Sequence, residues 1–430
     1  MIGTSGVRAR VPGGAAVLVV LALSALAGGC ARASPVAAAA SSCGAAWVTA
    51  WNASGQSVPG DQLAGRTLRM QARPQTDGTQ VRLRLSNRYG DGPLVIGATT
   101  AARGGSGPAA TDVVPVLVAG RPGVTIPAGQ DVLTDPVPIA VTAGVPLAVS
   151  MFLAEVPSRI SSHPVALQTA YLSGPGDGTS DLDGAGFDTT LQSWPVLAGV
   201  DVLAPRPAAS IVLIGDSLVD GVGSTPDGQD RLTDALAARL RGAGGDRTMT
   251  VLNAGLSRNQ LLDDDPSDGG DSPLTRFEAD VAGGPATRDV LLQAGTNDIE
   301  AGASAAEIVD GLTRFAEVVR DSGRRVILVT IPPSTQSARG TPRGIAVRDE
   351  VNDWVRARGA EQADVVVDFA AALADPSDPR RLRPAFDSGD GLHPSPAGYR
   401  AMADAIPARA LSGSPCLVGT AATPAVAEGR

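Results

Sequence analysis

No lysine occurs in this chain of 430 residues; every one of its 35 basic side chains is an arginine. Ala, Gly and Pro are abundant too, and their codons, like most of arginine's, are GC-rich. The bias therefore marks a GC-rich genome and not a functional need for guanidinium. Histidine is scarcer still. His163 and His393 are the only two, which excludes a histidine-rich metal site, and no metal or cofactor is expected. Aromatic residues make up 3% of the chain and offer little for stacking on sugar rings. The formal charge is −9 with no cluster of basic residues, which argues against nucleic acid or anionic lipid as a partner. Cysteines number three, Cys30, Cys43 and Cys416.

What is present begins with an export signal. Residues 1–29 carry Arg8 and Arg10, then "AAVLVVLALSALAGG", an order of basic, apolar and small residues that reads as a secretory signal and is short for a membrane span. The run ends in "LAGGC". This resembles the lipobox of bacterial lipoproteins, which implies lipid attachment at Cys30 after cleavage; Ala27 stands where that pattern favours leucine. Cleavage after the alanines of "SPVAAAASSC" would instead release a soluble protein. In either case Cys43 and Cys416 remain as one possible disulfide joining the two ends of the mature chain.

After a linker at 30–44, residues 45–205 show short alternating or apolar runs separated by turn residues, as in "VRLRLSN", "PLVIGATT" and "VPLAVSMFL". That spacing predicts an all-β sandwich of jelly-roll-like character. In "VRLRLSN", Val81, Leu83 and Leu85 should face inward and Arg82 and Arg84 solvent. "LAPRPAAS" at 203–210 reads as a linker, and beyond it strands alternate with helices. Leu232, Leu236 and Leu240 fall on one helical face, Ser304 and Glu307 have capping-box spacing with Gly323 as a stop, and Ser395–Pro396 open a last helix. Five apolar strands separated by helices predict an α/β domain over 206–412, a parallel sheet covered on both faces, with a tail at 413–430. In such sheets chemistry sits at the carboxyl ends of the strands, and Ser217, Gly255 and Asn297 fall there.

A serine needs a base, and the base an orienting acid. Asp390 and His393, three residues apart in "DSGDGLHPSPAGY", can pair locally, with Nε2 of the imidazole left facing outward. Donors for an oxyanion are available as the Ser217 N–H, the Gly255 N–H in "LNAGLSRNQ" and the Asn297 amide in "AGTNDIE". The four stretches "GDSLVDG", "NAGLS", "GTND" and "DGLH" resemble, in order, the motif blocks of the SGNH (GDSL-type) hydrolase superfamily. The resemblance covers about residues 208–410. It implies a three-layer α/β/α fold, Ser217 as nucleophile and oxyanion donor, Gly255 and Asn297 as further donors, His393 as base and Asp390 as its partner. The whole mature chain is similar to secreted two-domain bacterial members, with Leu232 where those often carry tryptophan.

Taken alone, Ser217 could cap a helix, and Gly255 and Asn297 could be turn residues; their order lifts them above that. His163, in "SSHPVALQTAY", reads more simply as a hydrogen-bonded loop histidine than as a contact lining the cleft. The five aspartates of "LLDDDPSDGGDSP" lack calcium-loop spacing and read as a solvated loop. The sequence thus implies an exported hydrolase, secreted or held at the cell surface, cleaving acetyl or other short-acyl esters on a substrate such as an acylated carbohydrate. A lipase or phospholipase, and a glycan-binding lipoprotein without turnover, are the alternatives. Preference for long acyl chains would mark the first, and glycan binding without ester cleavage the second.

Overall fold

The computed structural model describes residues 44–206, 208–242, 249–265 and 268–413. The expectations for the export segment, for lipid on Cys30 and for a Cys43–Cys416 bridge lie outside the described residues.

The first part is built of antiparallel strands. One sheet has the order Ala46–Asn52, Leu197–Ala204, Val81–Asn87, Gln130–Leu133; a larger one is centred on Arg66–Ala72, Leu147–Glu155 and Leu94–Gly104. A third, of three strands, places Arg159–His163 between Trp194–Pro195 and Gln56–Pro59. The alternation in "VRLRLSN" puts Val81, Leu83 and Leu85 into one core with Leu68, Met70, Val149 and Met151 of the larger sheet. Each such fully buried side chain stabilises the sandwich by about 1.5–3 kcal/mol relative to exposure.

The alternate positions point outward as expected but are only half-exposed. Arg82 lies over the Trp47 ring at 3.9 Å and pairs with Asp201 at 3.2 Å, while Arg84 donates to the Gly283 carbonyl at 3.3 Å. Gly283 belongs to the α/β part, which covers this end of the sheet. The connection between the parts is correspondingly tight. Only residues 205–208 separate the strand ending at Ala204 from the next, and Ala204 and Ala208 are buried.

The second part is a parallel sheet of β1 (Ala209–Gly215), β2 (Met249–Gly255), β3 (Thr287–Gln293), β4 (Arg325–Val329) and β5 (Val365–Val367), in the order β2-β1-β3-β4-β5. Both faces are covered, which is why β1 is apolar throughout. Ala209, Ile211 and Leu213 meet Leu232, Leu236 and Leu240 of α2 (Leu232–Gly242) and Tyr399 and Met402 of α6 (Pro396–Ala405). Val212 and Ile214 meet Ile308, Leu312 and Phe315 of α4 (Ala305–Asp321) and Val351 and Val355 of α5 (Pro342–Gln362). This is a three-layer α/β/α domain. Helix α4 carries the expected capping box, and Gly323 adopts φ +75° just past its end. Helix α5 starts at Pro342, capped by Thr341. Because β2 and β3 flank β1 on opposite sides, the chain reverses direction across the sheet beside β1, and a crevice opens at its carboxyl end.

Candidate active site

Ser217 sits in that crevice as the first residue of a four-residue helix, α1 (Ser217–Asp220). Asp216 caps the helix, its Oδ1 accepting from the Leu218 N–H at 2.9 Å, and Gly221, at φ +111°, closes it by donating to the Ser217 carbonyl. In the first turn the Ser217 N–H has no helical partner and is free for a ligand. Burial pushes the Asp216 carboxyl up to about 7 against the pull of the Leu218 N–H.

The base arrives from the far end of the chain. His393 Nε2 lies 2.9 Å from Ser217 Oγ, and His393 Nδ1 lies 2.6 Å from Asp390 Oδ2. The other Asp390 oxygen accepts the backbone N–H groups of His393 at 2.8 Å and Leu392 at 2.9 Å, so one carboxylate both folds the loop and orients the ring. Burial alone would raise Asp390; the N–H groups and the imidazole outweigh it and hold the carboxyl below its usual range. Ser217, His393 and Asp390 therefore form one continuous hydrogen-bonded chain. In it the serine O–H can donate to Nε2 while Nδ1–H donates to the carboxylate.

Two of the three expected oxyanion donors retain a free N–H, and one does not. The Gly255 N–H is committed to Asn253 Oδ1 at 2.9 Å, which corrects the reading of Gly255 as a donor. Its glycine serves close packing instead: a Cβ there would come 2.1 Å from the Asp220 backbone nitrogen. Three residues on, Arg258 holds φ +68°, and among the described residues its N–H meets no acceptor. Arg258 is bracketed by Ser257, which donates its N–H and Oγ–H to Asp220 Oδ2, and by Asn259, whose carbonyl accepts from Asn297 Nδ2 at 2.9 Å. Asn297, in α3 (Thr296–Ala301), gives one amide proton to Asn259 and keeps the other.

Beneath these loops lies a residue that spacing did not single out. Arg276, 2% exposed, donates to the carbonyls of Gly215 and Ala254 at the ends of β1 and β2, to Asn259 Oδ1 and to Ser54 Oγ of the strand-rich part. It pairs with Asp280 at 2.7 Å. One buried guanidinium thus fixes the strand ends that carry the site.

His163 is hydrogen-bonded, as its simpler reading expected, but at the end of a strand and not in a loop. It ends the strand Arg159–His163, is 4% exposed, stacks on Trp194, and meets Asp220 Oδ1 at 3.0 Å. The aspartates of 261–273 bond to nearby donors: Asp264 to Ser272 and Thr275, Asp268 to Arg258, and Asp271 to the Tyr89 hydroxyl. Among the described residues no group of three or more His, Cys, Asp or Glu side chains could hold a metal ion.

Residues 213–401 match the GDSL-like Lipase/Acylhydrolase family. The catalytic part of this chain is a GDSL-like acylhydrolase domain. With it the chain is a serine hydrolase acting on ester bonds. No curated protein sequence matches the chain. Solved structures similar to the GDSL-like domain include a carbohydrate acetylesterase from Sinorhizobium meliloti, 21% identical over 46% of this chain and 96% of that one, TM-score 0.37. The M. smegmatis aryl esterase is 22% identical over 47% and 97%, TM-score 0.37. An alpha/beta hydrolase from the metagenome of Lake Arreo, Spain, is 23% identical over 47% and 94%, TM-score 0.37.

Proposed function

We propose that this protein is an exported esterase that removes acetyl or other short acyl groups through an acyl-enzyme on Ser217. The observation that carries the reading is the unbroken chain from Ser217 Oγ through His393 to Asp390. His393 Nε2 takes the serine proton as Oγ attacks the ester carbonyl, and Asp390 holds the resulting imidazolium. The oxyanion is met by the N–H groups of Ser217 and Arg258 and by the free amide proton of Asn297. His393 then returns the proton to the leaving alcohol, and the C–O bond of the ester breaks. Water, deprotonated by the same imidazole, attacks the acyl-serine; the acid leaves and Ser217 Oγ is reprotonated.

A glycan as the carrier of the acyl group is supported by the sandwich beside the catalytic domain, since two-sheet antiparallel architectures recur in lectins. Export is supported by Arg8, Arg10 and the apolar run that follows. Mass spectrometry of membrane and culture fractions tests the mode of export: diacylglycerol on Cys30 is expected of a lipoprotein, and a free N-terminus near Ser41 of a released one. The substrate test is a graded series of acyl esters, acetate to long chains, with Ser217→Ala as control. Rates that peak at acetate and vanish in the variant are expected; rates that peak at long chains would make the protein a lipase.

A further inference from the structure

The side-chain amide of Asn297 is held from its oxygen end by an arginine that lies outside every motif block. Arg339 belongs to the short turn Ser337–Gly340, which follows β4 and precedes α5. Its guanidinium is spread over one short helix. Nη2 donates to Asn297 Oδ1 at 2.7 Å, Nε to the Thr296 carbonyl at 3.0 Å, and Nη1 to Glu300 Oε2 at 3.1 Å. The side chain is 11% exposed.

We propose that Arg339 is a positioning residue for the oxyanion hole, acting on the reaction through the amide of Asn297. The inference rests on the reading of Asn297 as an oxyanion donor. Two consequences follow from elementary chemistry. An amide with a cation on its oxygen cannot turn over, because the turned form would set NH2 against guanidinium; Nδ2 is therefore kept toward Asn259 and the crevice. A positively charged donor on Oδ1 also withdraws electron density from the amide, which makes its free N–H a stronger donor to a developing negative charge. Both effects act on the transition state more than on the neutral substrate, so they belong in kcat and not in KM. A lysine cannot substitute, because one ammonium cannot span the three acceptors that the planar fork reaches.

The test is a double-mutant cycle on a soluble acetyl ester with the purified protein, using Arg339→Gln, Asn297→Ala and the pair, with melting temperatures recorded beside kcat and KM. Arg339→Gln is expected to lower kcat by about 10- to 100-fold with KM within about two-fold. Asn297→Ala is expected to cost about 100- to 1,000-fold. In the double variant the Arg339 change should add nothing, because the group through which it acts has gone. Losses that multiply, or a loss confined to KM, would overturn the positioning role while leaving Asn297 in place. An Asn297→Ala variant with native turnover would overturn the oxyanion reading itself, and with it this one. Should Arg339→Gln fail to fold, Arg339→Met, which keeps an unbranched stem and removes the charge and its donors, carries the same cycle with the same expectation.

Discussion

Nε2 of His163, in the strand-rich part, lies 3.0 Å from Oδ1 of Asp220, the last residue of the helix that Ser217 begins. The other ring nitrogen faces the Ser54 carbonyl at 2.9 Å, so both nitrogens meet oxygen acceptors, an arrangement that favours the doubly protonated ring. Burial alone opposes that charge; Asp220 and the Ser54 carbonyl outweigh it and raise the imidazole above its ordinary value. Asp220 Oδ2 in turn accepts from Ser257, beside Arg258. A buried pair therefore joins the sandwich to the elements that carry Ser217 and the Arg258 N–H.

Replacing His163 by leucine leaves Asp220 Oδ1 without its donor, a loss of about 3–5 kcal/mol for one partner of a buried pair. The sign of its pH dependence follows from the raised value. The stability contributed by the charged ring is fully present below the unfolded-state value of 6.5 and is lost as pH rises through the folded-state value. The gap between native and His163→Leu in urea unfolding should thus be widest near pH 6 and narrow in alkali. An equal gap at both ends would contradict the charged pair.

Gly255→Ala keeps the backbone N–H but drives a Cβ to 2.1 Å from the Asp220 nitrogen. Displacing α1 to relieve that contact should cost about 1–3 kcal/mol and lower turnover, because Ser217 moves with the helix. Chemical denaturation and kcat on one preparation test this. A variant with native stability would show that the helix does not need the space.

Arg258→Gly is expected to do the opposite. The N–H remains, and a backbone at φ +68° costs a non-glycine residue about 1–2 kcal/mol, which glycine relieves and its chain entropy partly offsets. The exposed Arg258–Asp268 pair that is lost contributes little. Stability equal to or slightly above native, with kcat within about two-fold, is predicted; a loss of 100-fold would mean that the guanidinium takes part.

Asp390→Asn preserves an Oδ1 acceptor for the N–H groups of His393 and Leu392 but removes the carboxylate facing Nδ1. Turnover should fall by about 100- to 10,000-fold with little change in fold. The native carboxyl is held below its ordinary value of 3.8, so the stability it contributes is present above that pH and is lost as pH falls through the lowered value. The stability gap between the two proteins should close in acid. A gap independent of pH would contradict the depressed carboxyl.

Much of the catalytic half was legible because its signals are local. The burial of Leu232, Leu236 and Leu240 follows from helical period, the Ser304–Glu307 box from spacing, and the meeting of Asp390 with His393 from three residues of separation. What was not legible depends on the exact turn of a loop or on distant chain. The N–H of Gly255 is taken by Asn253, two residues away, and the free N–H sits at Arg258 because a left-handed residue turns the loop there; nothing in "LNAGLSRNQ" distinguishes the two. Arg276 and Arg339 are two arginines among 35 basic residues, and only the fold brings one beneath β1 and β2 and the other onto Asn297. His163 could not be placed because its partner Asp220 lies 57 residues away, across the junction of the two parts.

In the proposed mechanism Ser217, and no other side chain, is made nucleophilic by His393. Intact-mass spectrometry after treatment with an alkyl phosphonofluoridate tests it directly: Ser217 Oγ attacks phosphorus, fluoride leaves, and the proton goes to His393. One phosphonyl adduct is expected on native protein, mapped to Ser217, and none on Ser217→Ala or within the same time on His393→Ala. An adduct on a different residue, or native protein left unlabelled while it hydrolyses esters, would contradict it.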